Sequence, residues 1–138
     1  MPRKTSVAGL VLVLAAYAAL LWASWSPAWF GWAHDDSLYW SSARALAQGE
    51  GYVMPSVPGE PPQTKYPILY SWVLSKVWVW NAVFPDNLVA ALWVNGLFGC
   101  LFLAGAFVLL RQLGAGTIAA LALTGICAVH PQMLTLST

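Results

Sequence analysis

The sequence predicts an all-α integral membrane protein, with three transmembrane helices and two juxtamembrane helices in a long first outward loop. Three observations carry that expectation. Charged residues are 8% of the chain and hydrophobic ones 59%, whereas an ordinary soluble domain carries about 25% charged residues. Three apolar runs, at about 7–30, 88–110 and 115–136, have the roughly 20 residues that a spanning helix needs. Between the first and second runs, residues 31–87 hold an acidic pair and a cluster of prolines and glycines, which is loop chemistry.

The first run follows a basic flank, Pro2-Arg3-Lys4. A signal peptide starts the same way, but its apolar region is usually about 7–15 residues, so an uncleaved span is expected. Trp22, Trp25, Trp29 and Trp32 are spaced 3, 4 and 3 apart, which puts them on one face of a helix. They form either an interfacial aromatic belt or a stripe lining a groove for a lipid substrate.

From Asp36 to Gln48 the pattern is a short amphipathic helix, with Asp35 or Asp36 as N-cap and Gly49 as its stop. Tyr39, Ala43 and Leu46 share a face, and the helix is too short to span, which places it in the interface. Residues 50–64 follow as a loop, with Pro55, Pro58, Pro61, Pro62, Gly51 and Gly59. The segment 67–84 is apolar enough to tempt a spanning assignment. Lys76 sits in its middle, however, and a Lys at the bilayer centre costs roughly 2.5–3.5 kcal/mol. With Trp72, Trp78 and Trp80 it reads as a second juxtamembrane helix.

Pro85-Asp86-Asn87 breaks the chain before the second span, and Arg111-Gln112-Leu113-Gly114 turns it into the third, which has His130-Pro131 near its far end. This count puts Arg3, Lys4 and Arg111 on the cytoplasmic side, as the positive-inside bias requires. The acidic pair and the loop then face outward. A spanning 67–84 segment would move Arg111 outside. The chain enters its first span at once and ends just after its third, so it is expected to be a piece of a larger multi-span protein.

The net charge of +1 gives no reason to invoke nucleic acid. Cys100 and Cys127 lie in apolar runs and read as small buried hydrophobes, not as a disulfide or a metal pair. His34, Asp35 and Asp36 are potential ligands, but consecutive residues rarely converge on one ion and no second cluster exists, so neither metal nor cofactor is expected.

Adjacent helical residues project about 100° apart, so Asp35 and Asp36 do not share one small site. One would face a pocket, where a carboxylate serves as general base, while the other caps the helix or holds a partner. A plain N-cap with a solvated neighbour is the competing structural reading. Arg44 and Lys65 are the main outward cations, with Arg44 two turns above Asp36 on one stripe and Lys65 just before Tyr66-Pro67. A cation held near an apolar surface suits the phosphate of a lipid carrier; a snorkelling interfacial Lys is the alternative.

Asp35-Asp36-Ser37-Leu38-Tyr39, the step 45–52 (ALAQGEGY) and Lys65-Tyr66-Pro67-Ile68-Leu69-Tyr70 together resemble the N-terminal part of the C-superfamily membrane glycosyltransferases (GT-C). This group includes the protein O-mannosyltransferases and the lipid A aminoarabinose transferase. His130-Pro131 is similar to a Ser-Pro or His-Pro step of that family. The ordered set covers nearly the whole chain. It departs from the family pattern at Ile68, where a second Pro is common, and at Asp36, where Glu is frequent. It departs in length too: such enzymes have many more spans, so this would be roughly their first quarter to third, and inactive alone.

The resemblance implies a polyprenyl-phosphate-linked sugar donor, a lipid, glycan or protein acceptor, and inverting transfer on the outward face of the membrane. It implies Asp35 as catalytic base, Asp36 as its positioning neighbour and Lys65 as the contact to the donor phosphate. Tyr39, Arg44 and Tyr66 complete the candidate substrate-binding set. The compact loop suits a bacterial inner membrane. A non-enzymatic small membrane protein, such as a transporter subunit or assembly factor with an outward binding loop, is the competing expectation.

Overall fold

A computed structural model describes residues 3–26, 30–32 and 34–135. These are all-helical: α1 is Arg3–Ser24, α2 His34–Gln48, α3 Ile68–Trp80, α4 Leu88–Gln112, α5 Thr117–Val129 and α6 Pro131–Thr135. No strand occurs among the described residues; one isolated antiparallel bridge joins Val53 to Pro62. The chain divides into two compact units, one ending at Trp25 and resuming at Leu92, the other running from Ser26 to Ala91.

In the first unit, α1 and α4 are long and apolar enough to cross a membrane, with apolar stretches of 19 and 25 residues. Their burial separates them from the core helices of a soluble protein. Only 11% of the apolar stretch of α1 and 28% of that of α4 are buried, while Leu12, Leu97, Leu101 and Phe102 stand more than half exposed. In water so large an apolar surface would be a severe liability; in lipid it is the expected exterior.

Inside this unit, Tyr17, Leu21, Leu92, Leu103 and Ala128 form the core. Small residues let the backbones approach, as is usual between membrane helices. A Cβ added at Gly99 would lie 2.0 Å from the Tyr17 hydroxyl, and one at Gly9 would lie 2.6 Å from Leu121. Neither position tolerates a side chain without movement. Cys100 is half-buried but Cys127 is exposed, and neither forms a disulfide; the expectation of two buried small hydrophobes therefore fails for Cys127.

The expected spans need two corrections. The first helix ends at Ser24, not near residue 30; Pro27 follows, and a proline disfavours helical backbone at the residue before it. Trp22 is therefore helical and Trp25 lies just past the end. Trp29 falls outside the described residues, and Trp32 stands 81% exposed in a separate turn. What the stripe does form is a stack, with Trp22 against Trp25 at 6.5 Å and against Trp93 at 5.6 Å. Trp22 and Trp93 border an apolar groove of about 210 Å³ floored by Leu21, Leu92 and Gly96.

The third run, 115–136, is not one helix. His130 is extended (φ −65°, ψ 129°) and ends α5 after 13 residues, because Pro131 excludes helical backbone before it and offers no N–H. At 1.5 Å per residue, α5 reaches about 20 Å, short of the roughly 30 Å hydrocarbon core. Among the described residues two helices, α1 and α4, are long and apolar enough to span.

The second unit is a helical hairpin with a folded loop. Trp40, Ala43 and Ala45 of α2 are buried, as are Ser71, Leu74, Ser75 and Val77 of α3. Ser71 donates to the Tyr39 carbonyl at 3.2 Å and the Trp78 indole to the Trp40 carbonyl at 3.3 Å. Trp40 and Trp78 pack ring to ring at 5.0 Å. The expected stop at Gly49 is present: φ is 80°, Gly49 N–H donates to Leu46 and Glu50 N–H to Ala45, a paired closure that satisfies the last carbonyls of the helix.

The connection to α3 is more ordered than its composition announces. Met54 N–H donates to Pro61 at 3.0 Å and Gln63 N–H to Tyr52 at 2.9 Å, flanking the Val53–Pro62 bridge. Ser42 of α2 anchors this ribbon through the Val53 carbonyl at 2.8 Å. Helix α3 ends at Trp80 after 13 residues, too short to cross a bilayer. Its Ile68, Leu69, Trp72, Val79 and Trp80 are at least half exposed, and the Lys76 amine sits 4.7 Å over the Trp72 ring.

Candidate functional site: an acid, a cation and a tyrosine cluster

The first turn of α2 carries both acidic residues, where carboxylates offset the positive end of the helix dipole. The helix opens at His34, so Asp35 and Asp36 lie inside it, in its first turn, and neither is the expected cap. Their side chains diverge. Asp36 accepts from the Gly31 N–H at 2.9 Å, which ties the helix start to the chain before it, and from the Ser37 N–H within the helix.

Asp35 turns to the segment leading into α3. Its carboxylate accepts the Tyr66 phenol proton and pairs with the Lys65 amine at 3.6 Å. The Lys65 amine also lies 4.7 Å over the Tyr66 ring, within cation–π range. The Tyr66 ring in turn packs on Tyr39 at 4.7 Å, and Tyr39 on Tyr70 at 5.0 Å. The result is an aromatic wall carrying one carboxylate and one ammonium group.

Lys65 and Asp35 are 63% and 56% exposed. An ion pair so hydrated adds little to stability and leaves both groups accessible to a ligand. The polar contact with Tyr66, aided by the Asp35 charge, holds the Lys65 ammonium above its ordinary 10.5, so it stays a full cation at neutral pH. Burial, then the neighbouring Tyr52 and Tyr66, raise the Tyr39 phenol above 10.0, so it stays protonated.

Asp35, Tyr39, Lys65 and Tyr66 are thus brought together. Arg44 is not: it lies nine residues beyond Asp35, about 13 Å along α2, and its guanidinium donates to Gln48 at 3.2 Å. Tyr70, the last residue of the Lys65–Tyr70 motif, joins the cluster through its packing on Tyr39, a contact between α2 and α3 that local spacing does not announce. Among the described residues no group of three His, Cys, Asp or Glu side chains gathers as a metal site would require.

Such a site can do two things chemically. Lys65 can bind an anion by a charge-assisted contact, and Asp35 can accept a proton from a hydroxyl brought against it. Compared with protein-family models, curated proteins and solved structures, the chain finds no match in any of the three.

Proposed function

We propose that this chain carries the donor-phosphate and general-base part of a membrane glycosyltransferase, which moves a sugar from a polyprenyl-phosphate carrier to an acceptor on the outward face. The observation that supports this reading best is the meeting of Asp35 and Lys65 at 3.6 Å. An acid and a cation at one accessible site are the two charges that displacement of a sugar phosphate needs. Asp35 takes the proton of the acceptor hydroxyl as its oxygen attacks the anomeric carbon. The bond from that carbon to the phosphate oxygen breaks with inversion, and its electron pair leaves on the phosphate. Lys65 stabilises that departing charge, which grows in the transition state and so lowers the barrier. Tyr66 holds Asp35 in place, and Tyr39 offers an apolar edge to the sugar.

In this reading α1, α4 and the α5–α6 segment are three spans. A proline break inside a membrane helix is tolerated where neighbouring helices satisfy the freed carbonyls. Arg111 then lies on the cytoplasmic side, and residues 31–87 face the periplasm of a bacterial inner membrane.

The test uses the chain in phosphatidylcholine vesicles containing a polyprenyl monophosphate. Binding that Lys65→Met weakens about tenfold, the scale of one charged contact, and that polyprenol lacking the phosphate does not reproduce, supports the reading. Release of labelled hexose from the corresponding polyprenyl-phosphate sugar by membranes carrying the whole coding frame, abolished by Asp35→Asn, supports the chemistry. Absence of both signals would sink it in favour of a non-enzymatic membrane protein with an outward binding loop.

A further inference from the structure

The Lys65-Tyr66 dipeptide sits between two residues whose side chains bond to the backbone of Asp35's partners. Upstream, the Gln63 side chain accepts the Lys65 N–H at Oε1, 3.0 Å away. Downstream, the Tyr52 phenol shares its proton between the carbonyls of Tyr66 at 3.1 Å and Pro67 at 3.3 Å. The two residues are themselves joined, since the Gln63 N–H donates to the Tyr52 carbonyl at 2.9 Å.

Gln63 is only 5% exposed, and its Nε2 is buried without a hydrogen-bond partner among the described residues. Burying an unsatisfied amide donor is costly, which argues that the side chain is kept for its Oε1 bond. The geometry points to Tyr52 and Gln63 as a bracket of positioning residues, which fixes the backbone of Lys65 and Tyr66 so that ammonium and phenol both reach Asp35. Without it, a long flexible Lys on a proline-rich connection would sample many positions, and each misplacement would weaken the contact to a phosphate. The functional part of this inference rests on the donor-phosphate reading above; the geometric part does not.

A water-soluble carbodiimide tests the bracket directly. It activates the Asp35 carboxylate, and the Lys65 amine then forms an amide only if it lies in contact, so the yield by mass spectrometry reports the juxtaposition. Gln63→Met and Tyr52→Phe each remove one bracket bond. Each is expected to lower the Asp35–Lys65 yield about two- to tenfold, the factor one hydrogen bond commands, while thermal melting of the protein is unchanged. Affinity for polyprenyl monophosphate in phosphatidylcholine vesicles is expected to fall by a similar factor. Wild-type yields in both variants, or yields that fall only in step with the unfolded fraction, overturn the bracket. Loss of cross-linking in the variants of a protein whose wild type shows neither polyprenyl-phosphate binding nor sugar release supports the bracket and overturns the donor-phosphate reading, so the two fail separately.

Discussion

Tyr17 occupies the space that any side chain at residue 99 would need: a Cβ built on Gly99 lies 2.0 Å from its hydroxyl oxygen and 2.6 Å from the ring carbon bearing it. Tyr17 is fully buried and anchors the core of its unit, so the contact cannot be relieved by a flexible chain end swinging away. Gly99→Ala is therefore expected to destabilise the protein by about 1–3 kcal/mol, the range for overpacking. Gly105→Ala, on the same helix with nothing within 4 Å, is expected to be neutral or slightly stabilising, as Ala is the better helix former. Melting in detergent micelles checks both; equal effects would show that the Tyr17 contact does not matter.

A similar contrast holds at the end of α2. Gly49 has φ of 80° with open space around its missing Cβ. The cost of Gly49→Ala is then backbone strain alone, about 1–2 kcal/mol for one residue in left-handed backbone. Its readout is the melting of the α2–α3 hairpin, and an unchanged melt would mean the helix ends differently.

The alkaline side of the stability profile follows from two groups. Folding holds the Lys65 proton more tightly than the ordinary 10.5, and the Tyr39 proton more tightly than 10.0. The unfolded chain therefore releases both protons first as pH rises. The contribution is fully present below those ordinary values and is lost as pH climbs through the higher folded ones. Stability from this source should be flat through neutral pH and fall above about pH 10, with tyrosinate absorbance rising in the same interval. Tyr39→Phe should remove the phenol's part; an equal fall in that variant would refute the assignment to Tyr39.

Pro131 divides α5 from α6. Pro131→Ala restores an N–H and frees His130 to become helical, so the two are expected to fuse into one helix. Carbon chemical shifts at His130 would move from extended to helical values. If they stay extended, packing around His130 rather than the proline makes the break.

The sequence read well where apolarity alone decides structure. Leu88–Gln112 has no internal breaker and forms one helix long and apolar enough to span, and the segment around Lys76 forms a helix of only 13 residues. The sequence does not resolve 115–136 into two helices, because an apolar count is blind to backbone: Pro131 leaves the composition apolar but interrupts the helix at His130. At the site, spacing separated Asp35 from Asp36 correctly, since adjacent helical residues must diverge, and one now faces Gly31 while the other faces Tyr66. Nothing in residues 50–64 announced the Val53–Pro62 bridge, whose flanking prolines contribute no N–H. Gln63 was invisible for the same reason: its role depends on a fold of that loop which no local pattern encodes.

The indole stack at Trp22, with Trp25 at 6.5 Å and Trp93 at 5.6 Å and interplanar angles of 16° and 21°, has an optical consequence. Chromophores this close and this nearly parallel couple their excited states, so the stack should appear as an exciton band in circular dichroism. Trp22 belongs to α1 and Trp93 to α4, which makes that band an intrinsic gauge of whether the two helices remain in register. It needs no label, and it would grade detergents and lipids by how faithfully they keep the first unit assembled.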